Sequence, residues 1–209
     1  MDYGEKQLQI MEAAEALFAD NGFNGTSVRD IADKAGVNLA MISYYFGSKE
    51  KLLEAIFEYR GDTTKLILEN LANRSGLSSM DKMNALIDHY LKKIESQQCF
   101  HRLMVREQSV ANSEAVTAMI LKLKRQNLEV VKRLISEGQK AGAFRKNIDV
   151  PLLMITMLGT ANQLITSQHH YKQLNNLHDM PDDEYQKYLH KKLGQHLKFL
   201  FKKILTNEA

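Results

Sequence analysis

Two short helix-forming segments meet at Ala35-Gly36-Val37, inside the stretch TSVRDIADKAGVNLAMISYYFGSKEK from Thr26 to Lys51. That junction constrains the fold more than any other feature of the chain. Thr26-Ser27 opens the first segment and Asp30 follows Ser27 by three residues, a capping-box pattern. Val28, Ile31, Ala32 and Ala35 then recur at helical spacing. Gly36 suits the left-handed residue that ends a helix, and Asn38 suits the cap of the next. Met41, Ile42 and Tyr45 supply an inward face for that second helix. A third helix start follows at Ser48. Two short helices around a glycine-containing turn are the pattern of a helix-turn-helix, whose second helix enters the DNA major groove. An ordinary small helical hairpin fits the same residues.

The rest of the sequence favours helices. Its 209 residues carry two prolines, Pro151 and Pro181, so long stretches run without a helix breaker. An apolar share of 44% indicates a globular chain with a core. No apolar run approaches a membrane span and the start has no signal-peptide pattern, so a cytoplasmic location without membrane contact is expected. Cys99 stands alone and excludes an intrachain disulfide. Net charge is +3, but residues 1–60 hold ten acidic and six basic side chains. A head of that charge does not bind DNA by bulk attraction. It must rely on helix starts, hydroxyls and a few cations, and its non-specific affinity should be modest.

Taken in order, Lys6 to Asp20 reads as a first helix with Ile10, Ala13, Ala14, Leu17 and Phe18 in one stripe. Ser48 caps a fourth helix toward Arg60, and Gly61 either breaks it or lies within a longer one reaching about Leu71. Asn73 to Ser79 reads as a loop. Helices are expected over Met80 to Gln97, Phe100 to Glu107, and Ser113 to Gln139, the last ended by Gly138 and Gly142. Asp149 and Pro151 begin a helix to about Ser167 that is apolar almost all round and needs cover on most sides. Gln168 to Asp179 reads as a polar loop. Its His169, His170 and His178 lack an acidic or thiol companion at metal-binding spacing, so no metal and no cofactor are expected. A terminal helix runs from Pro181 to about Leu205. The expected fold is all-α, with a three-helix head over residues 1–47 and a larger helical body over 48–209.

The segment from Lys6 to Leu53 resembles the N-terminal domain of the TetR family of bacterial transcriptional regulators. The matching residues are Ile10-x-x-Ala13-Ala14-x-x-Leu17-Phe18, then Gly22-Phe23-x-x-Thr26-Ser27-Val28-Arg29-Asp30-Ile31-Ala32. Ala35-Gly36-Val37 and Tyr45-Phe46-x-Ser48-Lys49-Glu50-x-Leu52-Leu53 complete the pattern. Gly142-Ala143-Phe144-Arg145 and Asp149 are similar to the family's approach to its eighth helix. The resemblance implies about nine helices and a homodimer made by the last two. It also implies two heads on a palindromic double-stranded operator and a small-molecule effector pocket in each body, usually with repression. Thr26, Ser27 and Lys49 fall on backbone-contacting positions and Arg29 on one that can reach DNA or support the helix pair, with Asn38, Leu39, Ala40, Met41, Ser43, Tyr44 and Tyr45 on or beside the recognition helix. Ser43 stands where the family often has an aromatic residue and Ala40 where it often has glycine. Leu39, Ala40 and Met41 offer little hydrogen bonding, so apolar contact with thymine methyls is the available base readout.

Helix 4 is expected to act as the lever between head and body. Phe100, Met104, Met119, Met154 and Met157 are expected to line an adaptable apolar pocket for an apolar or amphipathic effector. Leu158, Ile165, Tyr185, Leu189, Leu193, Leu197, Leu200 and Phe201 are expected to face a second subunit. Two alternatives remain at this point. One is a helical protein-interaction module, or an activator using the same head. The other is an enzyme using His89, His101 and Glu107, against which stands the lack of any catalytic motif.

Overall fold

The structure, a computed structural model, describes residues 3–110 and 114–206. Among these residues every regular element is an α-helix: α1 (Glu5–Asn21), α2 (Val28–Ala35), α3 (Leu39–Phe46), α4 (Lys49–Ala72), α5 (Ser79–Ser96), α6 (Gln98–Val110), α7 (Glu114–Lys140), α8 (Val150–Thr166), α9 (Gln168–Leu174) and α10 (Asp182–Leu205). The all-α expectation holds. The helix count exceeds nine because Gln168–Leu174, expected as loop, is helical. That segment has no apolar stripe to betray it. It is tied down from outside, where the Tyr185 hydroxyl donates to Gln168 O at 2.6 Å. The expected start of α7 at Ser113 lies outside the described residues.

Side-chain caps mark the helix starts. At α2 the Asp30 N–H donates to Ser27 Oγ at 3.1 Å, and the Ser27 N–H donates to Asp30 Oδ2 at 2.9 Å. Before α5, Ser78 and Asp81 repeat the arrangement. Asp149 caps α8 by accepting from Leu152 N at 2.9 Å. Each such cap contributes about 1 kcal/mol. Gly36 ends α2 at φ 61° and ψ 37°, the left-handed conformation that costs a glycine nothing.

Two glycines sit inside helices for reasons of space. α4 passes through Gly61, where an added Cβ would lie 2.7 Å from Leu123 Cδ1 of α7. Gly138 does not end α7 as expected. It lies within the helix, and an added Cβ there would lie 2.2 Å from a Phe144 ring carbon. The stop falls at Gly142, φ 72°.

The chain packs as two compact units. The first comprises Met1–Ile67 with Ile94–Asn127. Phe18, Ile31, Ile42, Leu52, Leu53, Ile56 and Leu103 are fully buried in its core, with Phe100 and Ile120 nearly so. Burying each such side chain contributes about 1.5–3 kcal/mol before entropy is counted. The second unit comprises Leu68–Lys93 with Leu128–Ala209. There α8 buries Leu153, Met157 and Ala161, and α10 buries Tyr185, Leu189, Leu193, Leu197 and Phe201. α10 runs antiparallel to α5: Lys198 Nζ bonds Asp88 at 2.7 Å, and Gly194 faces Leu91. No single described helix is long and apolar enough to cross a membrane.

Candidate nucleic-acid interface

α3 is fixed from below and bare above. Ile42, 1% exposed, is its anchor in the first unit's core. Asn38 caps it, accepting from Ala40 N at 2.9 Å. On the outer side Leu39 is 43% and Tyr44 83% exposed, with Ala40 and Ser43 exposed between them. Met41 and Tyr45 are half-buried. The Tyr45 ring meets Tyr44 edge-on, centroids 5.1 Å apart, and so restrains it. The result is one hydroxyl, one phenol and a short apolar ridge at a protruding helix. Phenol and hydroxyl can donate to phosphate or base, and the ridge can meet thymine methyls.

Ser27 and Arg29 are exposed at the start of α2, as a backbone-contacting role requires. Two other expected contacts are not presented that way. Thr26 is 2% exposed. Its hydroxyl donates to Gly22 O at 2.9 Å and Leu17 O at 3.2 Å, closing the turn between α1 and α2 instead of reaching out. Lys49 is half-buried, and its ammonium donates to Phe23 O at 2.9 Å and Thr26 O at 3.0 Å. It also lies 4.3 Å from the Phe23 ring centre. An ammonium has three donors, so two are already committed within the protein. Nothing in the sequence announces either arrangement, because the partners are backbone carbonyls.

Part of the head's acidity is taken up within the protein. Glu15 is 5% exposed and meets Arg60 of α4 through Nε at 2.9 Å and Nη2 at 3.2 Å. Asp20 pairs with Arg102 of α6 at 3.1 Å. The Ser27 hydroxyl and then its N–H hold the Asp30 carboxyl below the usual carboxylate range, so it stays ionised within its cap.

The expected pocket residues fall in both units. Phe100, 3% exposed, stacks edge-on with Phe57 at 5.3 Å in the first unit's core. Met104 packs against the same core. Met157 is 1% exposed in the second unit, where Met154 is half-buried. Met119 lines a cavity of about 370 Å³ between α4 and α7. Phe57 and Leu123 share its apolar lining, and Glu54, Glu58 and Asp62 rise one helical turn apart beside them. Lys122 sits opposite, 3.6 Å from Glu58.

The expected dimer set also divides. Tyr185, Leu189, Leu193, Leu197 and Phe201 are buried in their own protomer, at most 5% exposed. The terminal stripe therefore faces inward, while Leu158, Ile165 and Leu200 are half-buried. Three apolar side chains outside that expected set are more exposed: Leu152 (58%) and Ile155 (62%) on α8, and Phe199 (63%) on α10. Of the trio considered for catalysis, His89 lies in the second unit, and His101 and Glu107 lie in the first. Glu107 accepts a backbone hydrogen bond from Phe23. Among the described residues no group of three His, Cys, Asp or Glu side chains is placed to hold a metal ion.

Comparison with known proteins gives a consistent picture. The family described as "Bacterial regulatory proteins, tetR family" matches residues 10–56. The family "Tetracyclin repressor-like, C-terminal domain" matches residues 80–195. A probable HTH-type transcriptional regulator of Bacillus subtilis, YttP, is 31% identical over 148 residues, 69% of this chain and 68% of that one. The repressor KstR2 of Rhodococcus jostii is 27% identical over 157 residues, covering 75% and 76%. Among solved structures, the fatty acid degradation regulator FadR of Bacillus halodurans superposes with a TM-score of 0.74 at 22% identity, covering 95% of this chain and 97% of that one. FadR of Bacillus subtilis, solved in complex with stearoyl-CoA, gives 0.68 at 22% identity, covering 95% and 99%. At these identities the two structures show a shared fold.

Proposed function

The chain belongs to the TetR family of bacterial transcriptional regulators, and we propose that it is a repressor that binds a palindromic operator as a homodimer and leaves it on binding a small effector. The observation that carries this reading is α3, anchored by Ile42 and capped by Asn38, with Leu39, Ala40, Ser43 and Tyr44 outermost. Ser27 and Arg29 at the start of α2 supply backbone contacts, and one remaining N–H of Lys49 can add another. The sequence-derived set is kept without the Thr26 hydroxyl. Action on DNA also implies the cytoplasmic location expected from the sequence.

Dimerisation is assigned to the outer face of α8 and α10, with Leu152, Ile155 and Phe199 at its centre and Leu158, Ile165 and Leu200 beside them. Large exposed apolar side chains on adjoining helices favour cover by a second copy. A dimer holding two recognition helices about one DNA turn apart matches successive major grooves. For the effector, the cavity between α4 and α7 has the size of a small-ligand site and an apolar lining in Phe57, Met119 and Leu123. Its carboxylates disfavour a phosphate-bearing head group there, so a neutral or cationic amphiphile fits better than an acyl-CoA. Binding against α4, which begins beside the head at Lys49, couples the ligand to the DNA-binding arrangement.

A random-pool selection of duplex DNA by the full-length protein tests the reading. Enrichment of a palindrome, bound with a shallow salt dependence, supports it. No enriched sequence overturns it and favours the protein-interaction alternative. An acyl-CoA that releases the duplex, where neutral and cationic amphiphiles do not, overturns the effector class alone.

A further inference from the structure

The turn from Asp20 to Thr26 is held from two sides at once. From α6, Arg106 Nη1 donates to Asp20 O at 2.8 Å and Arg102 meets the Asp20 carboxylate at 3.1 Å. Glu107, 7% exposed, accepts from the Phe23 N–H at 3.2 Å. From α4, Lys49 takes the carbonyls of Phe23 and Thr26. A carboxylate of α6 thus holds the N–H of Phe23 while an ammonium of α4 holds its C=O. The Phe23 ring is buried against Phe18 with centroids 5.4 Å apart. Gly22 permits the grip: its φ is 80°, and an added Cβ would lie 3.0 Å from Arg106 Nε.

The turn leads directly into Ser27, the cap of α2, and α2 packs on α3. A shift of the turn therefore moves the start of α2 and the helix that reads DNA. Charged acceptors and donors on backbone groups make the strong class of hydrogen bond, and burial strengthens Glu107's further.

We propose that Glu107 and Arg106 of α6 are positioning residues for operator binding, setting the recognition helix through the Asp20–Thr26 turn in concert with Lys49. α6 is then a second lever beside α4. This inference rests on the DNA-binding reading and adds to it how the head is held.

The test uses the full-length protein and a duplex enriched by the wild type from a random pool. Glu107→Gln keeps an acceptor for the Phe23 N–H and should bind within about threefold of wild type, whereas Glu107→Leu should bind about tenfold or more weakly. Binding of both to non-specific duplex should be unchanged. With Lys49→Met, the losses of affinity should fail to multiply, because both side chains act on Phe23. Arg106→Met, at an exposed side chain, should weaken binding about threefold to tenfold and decides the matter if Glu107→Leu does not fold. Wild-type affinity in Glu107→Leu, or in Arg106→Met when the former is unfolded, overturns the proposal. So do equal losses in the Gln and Leu variants, or losses that multiply fully with Lys49→Met. Absence of any enriched duplex overturns the DNA-binding reading itself, a different failure.

Discussion

Two faces of this protein stand uncovered, and they are built in opposite ways. The α3 face is small and mixed: Leu39, Ala40, Ser43 and Tyr44 on eight helical residues, held by a cap and one buried isoleucine. On α8 and α10 the uncovered side chains are larger and apolar, with Leu152, Ile155 and Phe199 more than half exposed. Apolar area drives lasting association, whereas polar groups on a rigid frame give specificity with little standing affinity. Under the proposed function, the contrast separates a surface for permanent cover by a second copy from one for reversible reading of DNA.

The largest effect should come from charging the apolar face. Ile155→Asp with Phe199→Asp should weaken self-association by about 100-fold or more, read by sedimentation, and operator affinity should fall with it. A stable dimer in that variant would show that the two faces are not divided as described. Next, Tyr44→Ala should lower operator affinity about tenfold to 100-fold with mass and melting unchanged, as loss of a bond to a charged oxygen predicts. Unchanged affinity would move the reading surface off α3. Gly138→Ala examines the interior behind the apolar face. Its methyl meets the Phe144 ring, and the melting temperature should fall by an amount matching about 1–3 kcal/mol.

The smallest effect belongs to the head. Ser27→Ala should cost about 1 kcal/mol. It also returns the Asp30 carboxyl toward its ordinary range, observable by NMR titration. Because the folded-state value is depressed, the cap's contribution is present above the ordinary carboxylate range. It is lost as pH falls through the lowered value, and Ser27→Ala should flatten that acid limb. A wild-type Asp30 titration in the variant would remove Ser27 from the cap.

Local signals carried much of the fold. Ser27 with Asp30, Asn38, Gly36 and Asp149 each act where their chemistry places them, because a cap is decided within four residues. The stripe Tyr185 to Phe201 was legible as buried, but periodicity does not say by what. The protomer's own core covers it, and Phe199, on the other side of the same helix, is left outside. Thr26 and Lys49 sit at the right places in the motif and point inward, since their partners are carbonyls with no side-chain signature. Glu107 accepts from the backbone N–H of Phe23, 84 positions away, a partner that equally has no side-chain signature.

Gly61 leaves a further trace. The space its missing methyl vacates is filled by Leu123, so the two positions share one fixed volume. An alanine at 61 would make the Leu123 methyl turn aside, whereas beside something shorter nothing need move. Over descent, an alanine at 61 is easier to accept once position 123, sixty-two residues along the chain, has become shorter.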